Sequence, residues 1–202
     1  MSSDIQARVE TKRYVEEKSL VEDSYRLAVM IYESGFRPDF IVGIWRGGST
    51  VGIYVQECLQ TLGMRTDHIA IRTSYRGMQQ YFTALDQKQD IRVHGIQYLL
   101  ENMNHDDKLL IVDDVFRTGR HIEAVIARLS NKAKRNMPSD TRIAMPYYKE
   151  GHSETGRVPD FYLHKTDDWL VLPYELTGLS LDEIKAHKPW VVPYLRPKLL
   201  DL

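Results

Sequence analysis

Short apolar runs that end in polar loops, each followed by an amphipathic helical pattern, recur along this chain. Residues 40–44 and 109–112 are the clearest runs, and both are rich in branched aliphatic side chains. Each predicts a strand that is buried on both faces, as in a parallel sheet. Strand–loop–helix units in series predict an α/β fold with a mostly parallel, doubly wound sheet. In such sheets, ligands bind at the carboxyl ends of strands, in the loops that lead into helices.

Weaker patterns complete the predicted domain. Ser19 and Glu22 form a capping-box pattern, which predicts a helix over residues 20–33. Strands are predicted at residues 68–73 and 142–145, with a short helix at 95–102 and amphipathic helices after residues 48 and 121. The single cysteine, Cys58, falls in the apolar face of the first of these amphipathic helices. We expect it to be a small buried core residue and not a redox thiol.

The two ends of the chain depart from this alternation. Residues 160–163 and 169–172 predict short strands joined by a turn, and Ser180 and Glu183 predict a second capped helix. Three prolines from residue 189 onward predict an irregular tail. The polar first eighteen residues predict a loosely docked arm or a short helix. We therefore expect an arm at 1–18, a core at 19–148 and a small C-terminal hood with a tail at 149–202.

The composition is that of a soluble globular protein. Of the 202 residues, 43% are hydrophobic and 27% are charged. The formal net charge of −1 gives no electrostatic argument for nucleic acid as the main partner. No apolar run approaches the roughly eighteen residues of a membrane span, and the polar N-terminus shows no signal region. We expect a cytoplasmic protein that binds neither nucleic acid nor a membrane.

The strongest motif follows the apolar run at residues 109–112. Two adjacent carboxylates, Asp113 and Asp114, stand at the end of the predicted strand, and Thr118 and Gly119 precede the next helix. Open N–H groups at a helix N-terminus attract an anion, and glycine lets a phosphate approach the backbone. The acidic pair suits ribose hydroxyls or a divalent cation, so the motif favours a sugar phosphate. The alternative is a strand end with solvated carboxylates before an ordinary helix cap.

This segment resembles the signature of type I phosphoribosyltransferases, which bind 5-phosphoribosyl-1-pyrophosphate (PRPP). The resemblance implies that Asp113 and Asp114 hold the ribose hydroxyls, and that these two residues and Glu175 lie at a Mg²⁺ site through PRPP and water. It also implies a homodimer or a homotetramer. The 5′-phosphate would be held by a continuous loop, namely Val115, Phe116, Arg117, Thr118, Gly119, Arg120 and His121.

A second loop stands between a predicted strand and a predicted helix. An arginine beside two glycines offers a bidentate charged donor and exposed backbone amides, which suit a diphosphate. Taken alone, the pattern is equally typical of a plain turn. In the resembled family the loop after the first core strand holds pyrophosphate and often contains a non-proline cis peptide. The resemblance therefore implies pyrophosphate binding by Arg46, Gly47 and Gly48, with a cis bond near Trp45–Arg46.

A long polar segment begins at Ser74 and Tyr75 and continues to about residue 93 without a clear period. Purine-specific members of the resembled family carry a Ser-Tyr pair at the start of a loop that closes over PRPP and excludes water. The resemblance implies such a lid here. An ordinary exposed loop is the alternative.

The candidate base site lies toward the end of the chain. Lys149, Trp169 and Leu170 resemble the hood of hypoxanthine, guanine and xanthine phosphoribosyltransferases. The resemblance implies that Lys149 donates to the purine 6-oxygen, that Trp169 stacks on the ring and that the backbone at Leu170 reads the base edge. A lysine donor favours a 6-oxopurine over adenine, which carries an amine there. The alternatives are a core tryptophan and a solvated lysine.

Two positions depart from the family pattern. Arg117 stands at the catalytic position where an aspartate is the usual proton acceptor, and arginine cannot accept a proton. His121 stands where a hydroxyl residue often binds the 5′-phosphate. Two functions therefore stay open: Mg²⁺-dependent transfer of phosphoribosyl to a 6-oxopurine, and a regulatory protein that binds PRPP or a nucleotide. A hydrolase-like or redox enzyme is disfavoured, because the sequence has neither a Gly-x-Ser-x-Gly elbow nor a dinucleotide glycine fingerprint.

Overall fold

A computed structural model describes residues 12–75 and 91–199. The described chain divides into two compact units, of which the larger is Lys18–Asp167 and the smaller comprises residues 12–17 and 168–199. The predicted arm (1–18), core (19–148) and hood (149–202) stay a prediction. No helix within the described ranges is both long enough and apolar enough to span a bilayer.

The larger unit is built on a seven-stranded sheet. Its strands are β2 (Phe40–Trp45), β3 (Asp67–Tyr75), β4 (Ile91–His94), β5 (Lys108–Val112), β6 (Val115–Phe116), β7 (Asp140–Tyr148) and β8 (Phe161–Lys165). Their order in the sheet is β4-β3-β2-β5-β7-β6, and β8 also pairs with β7. All of these strand pairs are parallel except β3–β4. Its helices are α1 (Glu17–Glu33, which begins at the boundary), α2 (Gly47–Thr61), α3 (Gln97–Asn102), α4 (Arg120–Ala133) and a 3₁₀ turn at Lys134–Asn136.

The smaller unit combines the two ends of the described chain. Strand β1 (Lys12–Tyr14) pairs in parallel with β9 (Trp169–Val171). Helix α5 (Leu181–His187), a 3₁₀ turn (Pro189–Val191) and helix α6 (Val192–Leu199) follow β9. The sequence analysis did not predict the strand at Lys12–Tyr14, which lies within the polar N-terminal segment.

Helices pack on both faces of the large sheet. Successive side chains of a strand point to opposite faces, so each strand can contact helices on both sides. On one face, Val42 of β2 and Ile111 of β5 belong to an apolar cluster with Val125 and Leu129 of α4. On the other face, α2 approaches Gly43 so closely that a Cβ atom there would lie 2.8 Å from the Cα atom of Ser49. The mostly parallel, doubly wound α/β fold predicted from the sequence is therefore confirmed.

Several local predictions are confirmed and others are wrong. The strands predicted at residues 40–44, 68–73, 109–112 and 142–145 are present as β2, β3, β5 and β7. The capping box at Ser180 and Glu183 is also present, with both reciprocal hydrogen bonds. The box at Ser19 and Glu22 is wrong, because α1 begins at Glu17 and places Ser19 inside the helix.

Two further predictions, the irregular tail and the buried Cys58, are wrong. The tail is not irregular: Pro189 starts a 3₁₀ turn and Pro193 lies in the first turn of α6, where a helix tolerates a missing N–H. The short strands predicted at residues 160–163 and 169–172 are present as β8 and β9, of which β8 pairs with β7 and β9 pairs with β1. Cys58 is half-buried and not a core residue, and its burial raises the pKa of the thiol.

Candidate active site

The carboxyl end of β5 brings Asp113 and Asp114 to the edge of the sheet. The Asp113 N–H donates to the Ala144 carbonyl of β7 at 3.2 Å, and the Asp114 N–H donates to Asp113 Oδ1 at 3.0 Å. Burial and then the neighbouring Asp114 carboxylate raise the pKa of Asp113 well above its usual range, while the N–H groups of Asp114 and Gly48 oppose this shift. A cation or hydroxyl donor at this place would stabilise the charged form of the pair.

The loop that follows the acidic pair is shaped by a short strand and a glycine. Strand β6 pairs with the end of β7, and the Phe116 ring packs edge-on against Tyr148 with 5.7 Å between centroids. Gly119 caps α4 with a φ of 75°, a left-handed conformation that favours glycine. A Cβ atom at Gly119 would lie 2.7 Å from Phe116 Cζ and 2.5 Å from Thr155 Oγ1. The loop therefore leads directly into the N-terminus of α4, with Gly119 as its last residue.

The polar segment after β7 lies against this loop, which the sequence did not predict. The Glu154 N–H donates to the Thr118 carbonyl at 2.9 Å. The Glu154 carboxylate also lies 3.9 Å from Nε of Arg120, the first residue of α4. Residues 151–157 lie in the connection between β7 and β8, and they carry no motif that would predict this contact.

The loop between β2 and α2 reaches the acidic pair. The Trp45–Arg46 peptide is cis, as the sequence resemblance implied, and Arg46 is exposed. Gly47 and Gly48 were predicted in a loop, but they form the first turn of α2. A Cβ atom at Gly48 would lie 2.2 Å from the Val112 carbonyl oxygen, so the backbone crosses directly over the end of β5. The Gly48 N–H lowers the pKa of the nearby Asp113 carboxylate, and a Cβ atom at Gly48 would lie 2.8 Å from the Asp113 Cα atom.

Two histidine–hydroxyl pairs join further residues to the site. His121 Nδ1 lies 2.7 Å from Thr73 Oγ1, which links the first turn of α4 to the end of β3. Burial and then the charge of Arg120 lower the pKa of His121. Ser74 Oγ lies 3.2 Å from His94 Nε2 in the neighbouring strand β4. Sequence reasoning missed Thr73 and His94, although Thr73 immediately precedes the Ser-Tyr pair.

The predicted lid is only partly within the described residues. Ser74 and Tyr75 are the last two residues of β3, and Ile91–His94 forms the antiparallel partner β4. Residues 76–90 lie outside the described ranges. The lid therefore stays a prediction.

Lys149 is placed beside the candidate phosphate loop. Its N–H donates to the Phe116 carbonyl at 2.8 Å, and its Nζ donates to the Asp167 carbonyl at 3.4 Å. Because the side chain is only 6% exposed, the alternative of a solvated lysine is wrong. Arg117, which directly follows β6, is half-buried.

The smaller unit contains the other predicted base-site residues. Trp169 is half-buried and Leu170 is buried, and both belong to β9. Glu175 Oε2 accepts a hydrogen bond from the Leu172 N–H at 2.9 Å. A cavity of about 410 Å³ in this unit includes none of these residues in its wall, which is formed by Tyr14, Val15, Glu16, Glu17, Pro173, Ala186, His187, Lys188 and Trp190.

Residues 10–158 match the family described as the phosphoribosyl transferase domain, and the β5–α4 motif lies within this range. The chain belongs to the phosphoribosyltransferase family. No curated protein sequence matches it. The phosphoribosyltransferase match ends before β8, so the segment with Trp169, Leu170 and Glu175 lies beyond it.

Solved structures share the fold of this chain. A purine phosphoribosyltransferase from Pyrococcus horikoshii is 24% identical with a TM-score of 0.60, covering 84% of this chain and 97% of its own. A Helicobacter pylori xanthine-guanine-hypoxanthine phosphoribosyltransferase is 18% identical with a TM-score of 0.59, covering 87% and 99%. A hypothetical protein from Neisseria gonorrhoeae with bound ppGpp is 16% identical with a TM-score of 0.67, covering 90% and 97%. At these identities the likeness concerns the fold alone.

The acidic pair, Asp113 and Asp114, offers oxygen ligands of the kind that a divalent cation prefers. Among the described residues, no group of three or more His, Cys, Asp or Glu side chains could hold a metal ion. Two adjacent carboxylates supply hard oxygen ligands but too few for a complete Mg²⁺ shell, so a bound ion would share oxygens with a ligand and with water. The predicted set of Asp113, Asp114 and Glu175 stays a prediction.

Proposed function

We propose that this protein transfers the phosphoribosyl group of PRPP to a 6-oxopurine and releases a nucleoside monophosphate and pyrophosphate, as in purine salvage. One observation carries the proposal: the backbone of Gly48, in the candidate pyrophosphate loop, passes so close to the candidate ribose site that a Cβ atom there would lie 2.8 Å from the Asp113 Cα atom. PRPP carries its diphosphate and its ribose hydroxyls on adjacent carbons. Two loops in such close contact suit these two groups of a single ligand.

The 5′-phosphate would bind at the start of α4. The first N–H groups of a helix have no partner within it, and the dipole favours an anion at this end. Gly119 gives the backbone room there, and the Arg120 guanidinium adds a positive charge. The remaining loop members, from Val115 to Thr118 and His121, complete the proposed cradle.

Mg²⁺ is the proposed cofactor, and when bound it would neutralise negative charge on the pyrophosphate as this group leaves. Asp113 and Asp114 would hold the ribose hydroxyls and contribute oxygens at the ion, with Glu175 nearby through PRPP and water. Arg46 and the backbone of Gly47 and Gly48 would bind the pyrophosphate oxygens.

In the reaction, the bond between ribose C1 and the pyrophosphate oxygen breaks, a purine ring nitrogen bonds to C1, and the proton of that nitrogen passes to the departing pyrophosphate. The developing positive charge on the ribose is vulnerable to water, so a lid that begins at Ser74 and Tyr75 would protect it. Correct placement of the two substrates supplies much of the rate even without a strong general base. Arg117 cannot accept the proton.

The base would be recognised by one lysine and one aromatic ring. Lys149 follows β7 and lies beside the phosphate loop, where its ammonium would donate to a purine 6-oxygen. Trp169 would stack on the ring, and the backbone at Leu170 would contact the base edge. The names of the Pyrococcus and Helicobacter neighbours support a purine substrate.

The test is a transfer assay with hypoxanthine, guanine, xanthine and adenine offered separately, each with PRPP and Mg²⁺. We expect nucleotide from at least one 6-oxopurine and none from adenine. The Asp114→Asn variant should lose roughly 10- to 100-fold in activity, because charged hydrogen bonds to the ligand are removed. Asp106→Asn, at an exposed turn, is the matched control and should keep full activity. Adenine as the preferred base, or full activity in Asp114→Asn, would refute the proposal.

A second candidate function is a regulatory protein that binds PRPP or a nucleotide without transfer. Arg117 favours it, because the position lacks a proton acceptor. The Neisseria protein of the same fold has ppGpp bound, which supports nucleotide binding on this scaffold. PRPP binding in calorimetry without turnover for any of the four bases would favour this function over the first.

A further inference from the structure

A buried lysine holds the turn that ends β9. Lys188 is 6% exposed, and its Nζ donates to the carbonyl oxygens of Leu172 at 2.8 Å and of Pro173 at 2.7 Å. A lysine is seldom buried unless its charge is compensated, because removing an ammonium from water is unfavourable. Its position at the junction of α5 and the 3₁₀ turn brings these helices to the backbone just after β9.

Glu175 binds the same turn through the backbone N–H of Leu172, whereas Lys188 binds the carbonyl oxygen of that residue. Its Oε2 accepts from the Leu172 N–H at 2.9 Å, while Lys188 takes the Leu172 carbonyl. Both backbone groups of Leu172 are therefore fixed by side chains. Glu175 also stabilises the charge of Lys188, whose pKa is lowered by burial and raised by this carboxylate. Leu172 itself is 2% exposed.

The strand before this turn is short and depends on its neighbours. β9 has three residues, and β1 pairs with it so that Lys12 lies opposite Trp169 and Arg13 opposite Leu170. The Val15 N–H also donates to the Val171 carbonyl at 2.9 Å. One edge of β9 is thus held by β1, and its carboxyl end is held by Lys188 and Glu175.

We propose that Lys188 is a positioning residue for base binding: its ammonium fixes the Leu172–Pro173 turn and so the backbone of Trp169 and Leu170. The inference rests on the proposed function, because it takes Trp169 and Leu170 as the residues that contact the purine. In this proposal, Lys188 acts on the base only through the position of Trp169 and Leu170. Its loss should therefore weaken the binding of ligands that carry a base and leave ligands that end at the ribose unaffected.

Calorimetry with two ligands separates this effect from a general loss of structure. Guanosine 5′-monophosphate and ribose 5-phosphate share the sugar phosphate, so the difference in affinity between them measures the base contribution. We expect Lys188→Met to weaken binding of guanosine 5′-monophosphate about tenfold, as for the loss of one charged hydrogen bond. Ribose 5-phosphate should bind as it does to the wild type. Lys188→Arg, which also donates to two carbonyls, should restore most of the affinity.

The matched control is Lys185→Met, which removes an exposed lysine from the same helix and should change neither affinity. Lys188→Gln keeps an uncharged donor and replaces Lys188→Met if the latter does not fold. Equal weakening of both ligands would overturn the inference, since it would show a general structural role. If Lys188→Met leaves the base contribution unchanged, this inference is overturned and the proposed base site is not. A wild type that gains nothing from the base would overturn the proposed base site, and this inference with it.

Discussion

Arg117 places a positive charge where the family resemblance implies a proton acceptor. Its side chain is half-buried directly after β6. We expect Arg117→Asp to raise kcat by at least about tenfold, because general-base catalysis is typically worth ~10²–10⁴-fold. Steady-state kinetics with the preferred 6-oxopurine measures this directly.

Arg120→Asp is the control for the change of charge in the same loop. Arg120 begins α4 and carries no implied role in proton transfer, so its substitution should weaken PRPP binding without raising kcat. If Arg117→Asp weakens PRPP binding without raising kcat, as expected for Arg120→Asp, then Arg117 binds phosphate and the general-base explanation is wrong.

Glu183 joins β1 to α5 through hydrogen bonds of its carboxylate. It accepts hydrogen bonds from Lys12 Nζ at 2.6 Å, the Ser180 N–H at 2.8 Å and the Tyr14 hydroxyl at 2.9 Å. These donors, Lys12 first, lower the pKa of Glu183 from 4.5 to about 2. Because the folded state favours the carboxylate, its contribution to stability is complete above pH 4.5 and is lost as the pH falls toward 2.

Urea unfolding of the wild type and of Glu183→Gln at several pH values tests this. We expect the difference in unfolding free energy between the two proteins to be constant from neutral pH down to about 5 and to shrink between pH 4.5 and about 2. The exposed neighbour Asp182 is the control, since Asp182→Asn should leave stability nearly unchanged. A difference that is independent of pH through this range would contradict the assignment.

At the scale of elements, α2 is positioned by close approach to the end of β5. Gly48 is the point of contact, where a Cβ atom would lie 2.2 Å from the Val112 carbonyl oxygen. Gly48→Ala should displace the first turn of α2 and weaken PRPP binding about tenfold or more, because bound phosphate oxygens and backbone amides would no longer align. Calorimetric titration with PRPP and Mg²⁺ measures the loss.

Thr50→Ala lies in the same turn of α2 and is the control. It removes a hydroxyl without adding an atom toward β5, so PRPP affinity should stay within about twofold of the wild type, as is usual for changes outside such contacts. Wild-type affinity in Gly48→Ala would show that the α2 N-terminus does not hold the diphosphate.

The elements differ in how far the sequence could predict them. Strands β2 and β5 are buried on both faces and therefore appear in the sequence as continuous apolar runs, which are easy to recognise. Strand β6 has two residues and exists through pairing with Tyr147 and Tyr148. Strand β1 pairs with β9, which is more than 150 residues away in the chain. Local patterns carry no information about such partners.

The candidate site shows the same limit. Asp113, Asp114 and the Thr-Gly turn form one contiguous motif, and the sequence places them on a strand end and a helix start. The hydrogen bond between Thr73 and His121 joins residues 48 apart, and Lys188 reaches a turn 15–16 residues before it. Neither pair has a spacing that a sequence motif would reveal.

For the whole molecule, we expect a homodimer or a homotetramer in solution. The prediction derives from the family resemblance, in which type I members are commonly oligomers. Light scattering coupled to size-exclusion chromatography should give a mass of two or four times 23.5 kDa. A single species at 23.5 kDa across micromolar concentrations would contradict it.

The most direct test of the account is a competition assay with all four bases present at equal concentration, together with PRPP and Mg²⁺. Mass spectrometry then identifies every nucleotide formed, and pyrophosphate is measured in the same samples. We expect nucleotides of the 6-oxopurines only, with one pyrophosphate released for each. Adenosine monophosphate as the main product, or pyrophosphate without any nucleotide, would contradict a 6-oxopurine phosphoribosyltransferase.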